Sequence, residues 1–140
     1  MHGVIILELL GGCVPTVLIV DDSATIRLCL RVYLENLGFQ VVAEAENGVQ
    51  AIEAHKRHRP DLITLDLVMP HLSGMEALRE IRRRDPLVSV LIVTSGFTLK
   101  IKQEAEELGV QTLLLKPVSQ DKLQQGLEAL ALFRKERKYG

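Results

Sequence analysis

Short aliphatic runs recur along this chain, each followed by a stretch of helical periodicity: Val17–Val20, Val41–Ala43, Leu62–Leu65, Val90–Val93 and Thr112–Leu115. A run of consecutive apolar residues has no polar face, so it suits a strand covered on both sides. Strict alternation of such strands with helices predicts a parallel sheet with helices packed on both faces. Right-handed crossovers in units this short favour an open, doubly wound α/β sheet of five strands and five helices.

Punctuation bounds the helices. Ser23 caps the first, and Gly38 stops it. Asn47-Gly48 opens the second, Val49–His58, which Arg59-Pro60 breaks. Gly74–Arg84 is the third, ended by Asp85-Pro86. The fourth spans Thr98 to Leu108 before Gly109, and the last runs from Ser119 to about Lys135. On the first helix Ile26, Leu30, Val32, Tyr33 and Leu37 are candidate inner residues, and Cys29 reads as a small core residue. On the third helix Met75, Leu78 and Ile81 share one face. His55 and His58 read as partly exposed, because two histidines without further ligands make no metal site.

The polar residues that end these strands matter more than the strands themselves. The first strand ends in Asp21-Asp22-Ser23 and the third in Asp66. The fourth ends in Thr94-Ser95-Gly96 and the fifth in Lys116-Pro117. In a parallel sheet these ends lie along one edge, where open α/β sheets bind ligands. Crowded carboxylates repel one another, and a hard divalent cation relieves that. Mg2+ takes oxygen ligands and commonly combines one or two carboxylates with a phosphate. Asp21, Asp22 and Asp66 are therefore candidate metal acids. Asp66, at the end of the central strand, is the candidate nucleophile for an aspartyl phosphate. Lys116 supplies a point positive charge that could pair with Asp66 at rest and with a phosphoryl oxygen after transfer, and Thr94 supplies a hydroxyl donor. His71, in the loop beyond Asp66, reads as solvent-exposed. No glycine-rich nucleotide motif accompanies the set.

Composition narrows the function classes. A length of 140 residues suits one domain. Net charge is −1, aromatics are 4% and Trp is absent, so nucleic-acid binding is not expected. Residues 1–15 read as an extension of unknown role, 16–137 as the domain and 138–140 as a tail. The apolar run Val4–Leu10 is too short to span a membrane and lacks the basic flank of a signal peptide. Cys13 reads as linker, and two cysteines without metal or redox spacing suit a reducing, cytoplasmic setting. Arg134–Lys138 reads as a solvated helix end.

The motif set resembles the receiver domain of two-component response regulators. The likeness is carried by Val17–Ser23, by Asp61–Leu78 with its Asp-Leu-Val-Met-Pro-His-Leu-Ser-Gly-Met, by Val90–Ser95 and by Gly109–Pro117, and it extends from about Thr16 to Phe133. The resemblance implies a flavodoxin-like sheet in the order 2-1-3-4-5. It implies that Asp66 takes a phosphoryl group from a histidine kinase phosphohistidine, with Mg2+ on Asp21, Asp22 and Asp66. It also implies that Thr94 is the switch hydroxyl, that Lys116 binds the phosphate, and that the Lys116–Pro117 bond is cis.

The chain departs from the family pattern at Leu113, where an aromatic ring is usual in the last strand. Phe97 is not expected to take its place, so the switch would rest on the loop after the fourth strand. Val68 and Gly96, two beyond Asp66 and Thr94, flank the path of attacking water in the family. Neither can position that water, which predicts slow to intermediate loss of phosphate.

The leading expectation is a stand-alone switch that catalyses only its own phosphorylation and dephosphorylation. Its donor would be a sensor histidine kinase or a histidine phosphotransfer protein. An unidentified downstream protein would bind a face around Lys100, Glu104, Gln111, Leu113 and Gln120. One alternative is a phosphorelay intermediate that passes the group to a histidine phosphotransfer protein. Another, from a different class, is an Mg2+-dependent phosphohydrolase, disfavoured because Val68 stands where such enzymes carry a general acid. A binding module indifferent to phosphate is the third; the complete set of acids, hydroxyl and lysine argues against it.

Overall fold

The computed structural model describes residues 14–139, with side chains described through residue 130. Strands and helices alternate: β1 (Thr16–Val20), α1 (Ala24–Asn36), β2 (Gln40–Ala45), α2 (Gly48–His58), β3 (Leu62–Leu65), α3 (Gly74–Arg84), β4 (Ser89–Thr94), α4 (Leu99–Glu107), β5 (Thr112–Leu115) and α5 (Gln120–Tyr139). The strands form one parallel sheet in the order β2-β1-β3-β4-β5. Val20 pairs with Leu65, Leu65 with Ile92 and Ile92 with Leu113, so the carboxyl ends of the four strands that carry polar residues lie side by side.

Alternation along each strand builds two cores. Leu18, Val20, Ile63, Leu65, Val90 and Ile92 face α2, α3 and α4 through Ala51, Met75, Leu78, Ile81 and Ala105. Val17, Ile19, Leu91, Val93 and Leu114 face α1 and α5 through Leu30, Leu34, Leu37, Leu123, Leu127 and Leu130. Every residue of β1 after Thr16, and all of β3 and β4, is buried. Continuous apolar runs predict that pattern. Each buried leucine or isoleucine contributes about 1.5–3 kcal/mol.

Side-chain caps set the helix starts. Ser23, Asn47, Ser73 and Thr98 accept from the backbone N–H groups of Ile26, Gln50, Glu76 and Ile101. Each satisfies one of the orphan donors of a helix start. Ser73 and Glu76 form a reciprocal capping box on α3.

Three expectations need correction. Val32 and Cys29 are exposed, and Leu34 is fully buried instead. Leu30, Leu34 and the C-cap residue Leu37 form the inner stripe of α1, with spacings of four and three. His55 is 1% exposed, not partly exposed, and its Nε2 lies 3.0 Å from Asp85 Oδ2. It sits seven residues after the buried Gly48 and four after the buried Ala51, on the inner face of α2. His58 is exposed and does not pair with it.

Candidate functional site

Asp66 follows β3 directly and continues the ladder, its N–H donating to the Val20 carbonyl at 3.0 Å. That bond fixes the residue at the sheet edge, where its side chain is 4% exposed. Glycine at position 74 brings the start of α3 against this point. A Cβ there would lie 2.1 Å from the Asp66 carbonyl oxygen, so no larger residue fits without moving the loop. Glycine at position 48 plays the same part for α2, its N–H donating to the Leu72 carbonyl in the loop beyond Asp66.

Asp21 ends β1 with every polar group engaged. Its N–H donates to Ala45 O at 3.0 Å. Its carbonyl accepts from Arg27 Nη1 at 2.7 Å. Its Oδ1 accepts from the Ser23 N–H at 2.9 Å, and its Oδ2 lies 2.7 Å from Lys116 Nζ. Asp22 is exposed, and its carboxylate makes no hydrogen bond or ion pair among the described residues. One carboxylate oxygen from each of Asp21, Asp22 and Asp66 can be chosen so that all three lie within 4.8 Å of one another.

Lys116 binds this cluster together. Its ammonium lies 2.7 Å from Asp21 and 3.4 Å from Asp66, so its nearer partner is Asp21 and not Asp66 alone. Burial, reinforced by the neighbouring Asp21 charge, pushes the Asp66 carboxyl above its usual range, and the Lys116 charge only partly offsets this. Burial alone would lower the Lys116 ammonium. The hydrogen bond to Asp21 and the charges of Asp66 and Asp21 outweigh it and hold the group above its ordinary value. One ammonium therefore faces two buried carboxylates.

Thr94 ends β4 fully buried, with Oγ1 donating to the Gly96 carbonyl at 3.2 Å. The Lys116 N–H donates to Thr94 O at 2.8 Å, which ties the lysine backbone to the hydroxyl-bearing residue. The Lys116–Pro117 peptide is cis. Val68 is exposed, and a side chain at Gly96 would meet open space. His71 is exposed and left-handed, with φ 66°.

The residues expected on a partner face are dispersed in their contacts. Lys100 and Gln111 are exposed. Glu104 pairs with Arg79 of α3. Leu113 packs against the core between the sheet and α2–α4. Gln120 Oε1 accepts from Asn36 of α1 at 2.9 Å. Arg27 is the site residue that sequence reasoning missed. An arginine five residues after an acid shows no target until the carbonyl it binds is located.

An all-oxygen donor set, half open to solvent through Asp22, suits a small hard cation. A buried carboxylate beside it, with a hydroxyl and an ammonium, suits a covalently attached phosphoryl group. Fold and site together define a class: a doubly wound α/β domain with an acid cluster at its topological edge. Comparison gives the family. Residues 17–128 match the response regulator receiver domain, and the chain belongs to that family. It is 39% identical over 114 residues, 81% of this chain and 92% of the relative, to the chemotaxis protein CheY of Bacillus subtilis. It is 35% identical over 112 residues, 80% of this chain and 90% of the relative, to the sporulation initiation phosphotransferase F of the same organism. Among solved structures, CheY in the CheX–CheY–BeF3–Mg2+ complex from Borrelia burgdorferi superposes with a TM-score of 0.80 at 27% identity, covering 87% of this chain and 91% of that one. The chain is thus a CheY-like receiver domain of two-component signalling. Among the described residues no helix is long and apolar enough to cross a membrane.

Proposed function

We propose that Asp66 accepts a phosphoryl group from the phosphohistidine of a sensor histidine kinase or a histidine phosphotransfer protein, with Mg2+ held by Asp21, Asp22 and Asp66. One observation carries the reading: a single lysine bridges two buried strand-end carboxylates, with a third carboxylate beside them that has no partner among the described residues. An Asp66 carboxylate oxygen would form the new P–O bond as the P–N bond to the donor imidazole breaks and the electron pair leaves with the ring. Mg2+, when bound, would neutralise charge on the phosphoryl oxygens. Lys116 would exchange its carboxylate partners for a phosphoryl oxygen. Thr94 would turn its hydroxyl from the Gly96 carbonyl to another. The freed Gly96 carbonyl then releases the loop leading to α4, and the surface near Lys100 and Gln111 changes for a downstream protein.

The same reading takes residues 16–137 as the functional unit in the cytoplasm, turning over no substrate beyond its own phosphoryl group. The solved CheX–CheY complex with BeF3 and Mg2+ supports a partner-binding role for the phosphorylated form. Likeness to a sporulation phosphotransferase favours a second reading, in which Asp66 returns the group to a phosphotransfer histidine. Incubation with a small phosphodonor and Mg2+, followed by intact mass, tests the acceptor. Wild type should gain one phosphoryl group and Asp66→Asn none. Equal labelling of both would refute the assignment. Loss of the label to an added histidine phosphotransfer protein would favour the relay.

A further inference from the structure

We propose that Arg27 is a positioning residue for the cation pocket, acting through the peptide that joins Asp21 to Asp22. The inference rests on the Mg2+ reading above. Of the three acids, Asp21 is held through both carboxylate oxygens, and Asp66 accepts from Val68 N–H at 3.3 Å and lies 3.4 Å from Lys116. Asp22 has no side-chain partner among the described residues. Its place in the pocket is therefore set by its backbone. The carbonyl of the Asp21–Asp22 peptide accepts from Arg27 Nη1 at 2.7 Å, and that bond orients the plane from which Asp22 projects.

Arg27 is itself well fixed. It lies in the first turn of α1, its N–H donating to Ser23 O at 3.0 Å. Its Nε donates to Glu44 Oε1 of β2 at 2.9 Å, and its side chain is 16% exposed. Arg31 holds the other oxygen of Glu44 at 2.7 Å. A planar guanidinium can serve the carbonyl and the carboxylate together, which an ammonium cannot do with the same geometry. If the network only braced α1 against β2, the Arg31–Glu44 pair would serve, and a donor on the acid turn would be superfluous. Groups that orient metal ligands from behind commonly change affinity by one to two orders of magnitude.

Geometry and charge predict opposite signs here. Removing a cation beside an acidic pocket should tighten Mg2+ binding by Coulomb's law alone. Loss of positioning should weaken it. The test is an Mg2+ titration followed by backbone amide NMR shifts in wild type, Arg27→Gln, Arg27→Lys and Arg31→Gln. Arg27→Gln should bind about tenfold more weakly, Arg27→Lys should be intermediate, and Arg31→Gln should match wild type. In the metal-free proteins the amide signals of Asp22 and Ser23 should move in Arg27→Gln and stay in Arg31→Gln. Arg27→Lys decides the matter if the glutamine variant does not fold, since wild-type affinity there would overturn the proposal. Equal or tighter binding by Arg27→Gln, or an equal loss in Arg31→Gln, would also overturn it. Absence of Mg2+ binding by wild type would instead remove the cation reading, and this inference with it.

Discussion

The two walls of the site are built differently. On the β1–α1 side, the N–H, the carbonyl and both carboxylate oxygens of Asp21 are engaged, and α1 is anchored by Leu30 and Leu34. On the β4–α4 side, residues 95–100 are all exposed, and Ala105 is the one buried side chain of α4. There the Thr94 hydroxyl donates to the Gly96 carbonyl two residues on, and α4 is tied to α3 by Arg79 on Glu104 and by Arg82 on the Leu108 carbonyl. Polar bridges at a surface hold a helix less firmly than a buried leucine stripe does. The contrast fits the proposed function. A cation pocket needs ligands that do not move, and a switch needs an element that does.

The largest effect should come from loosening the firm wall. Leu34→Ala removes a fully buried side chain from α1 and should cost about 2–5 kcal/mol in a denaturant titration. A loss near zero would mean that α1 is not the anchor described here.

A smaller change of opposite sign is expected between the walls. The folded-state pKa of Asp66 is raised above its unfolded value, so the native protein binds this proton more readily. Its contribution is therefore fully present below the unfolded pKa and is lost as pH rises through the folded pKa. Metal-free Asp66→Asn should melt higher than wild type at about pH 7, and the gap should close toward about pH 4. A lower Tm for the variant at neutral pH would contradict the electrostatic account. The smallest stability change should come from Glu104→Gln, which frees Arg79 at the surface. It should lower Tm slightly while speeding amide exchange in α4 and not in α1.

Much of this contrast was open to reading from residue order, because fully buried strands leave uninterrupted apolar runs and their polar ends stand out. Val17–Val20 before Asp21, and Leu62–Leu65 before Asp66, marked the sheet and its functional edge together. The inner face of α1 was not so clear. Ile26, Leu28, Cys29, Leu30, Val32, Tyr33 and Leu34 encircle much of that helix, so periodicity did not single out Leu34. His55 could have been placed inside by its spacing from Gly48 and Ala51, but its partner Asp85 lies thirty residues on, at the end of the neighbouring helix α3. The nearer approach of Lys116 to Asp21 depends on where the loops after β1 and β5 meet, and the hold of Arg27 on the Asp21 carbonyl depends on the course of the turn between β1 and α1. No local pattern encodes that.

Hydrogen exchange read by mass spectrometry on the phosphorylated protein tests the central claim most directly: that a phosphoryl group on Asp66 is answered by the loose wall. Wild type and Asp66→Asn would be compared with and without a small phosphodonor and Mg2+, with labelling confirmed by intact mass. Exchange should change across residues 95–108 in phosphorylated wild type, remain steady across α1, and show no phosphodonor effect in Asp66→Asn. A fully phosphorylated protein with unchanged exchange in 95–108, or with an equal change in α1, would contradict the account.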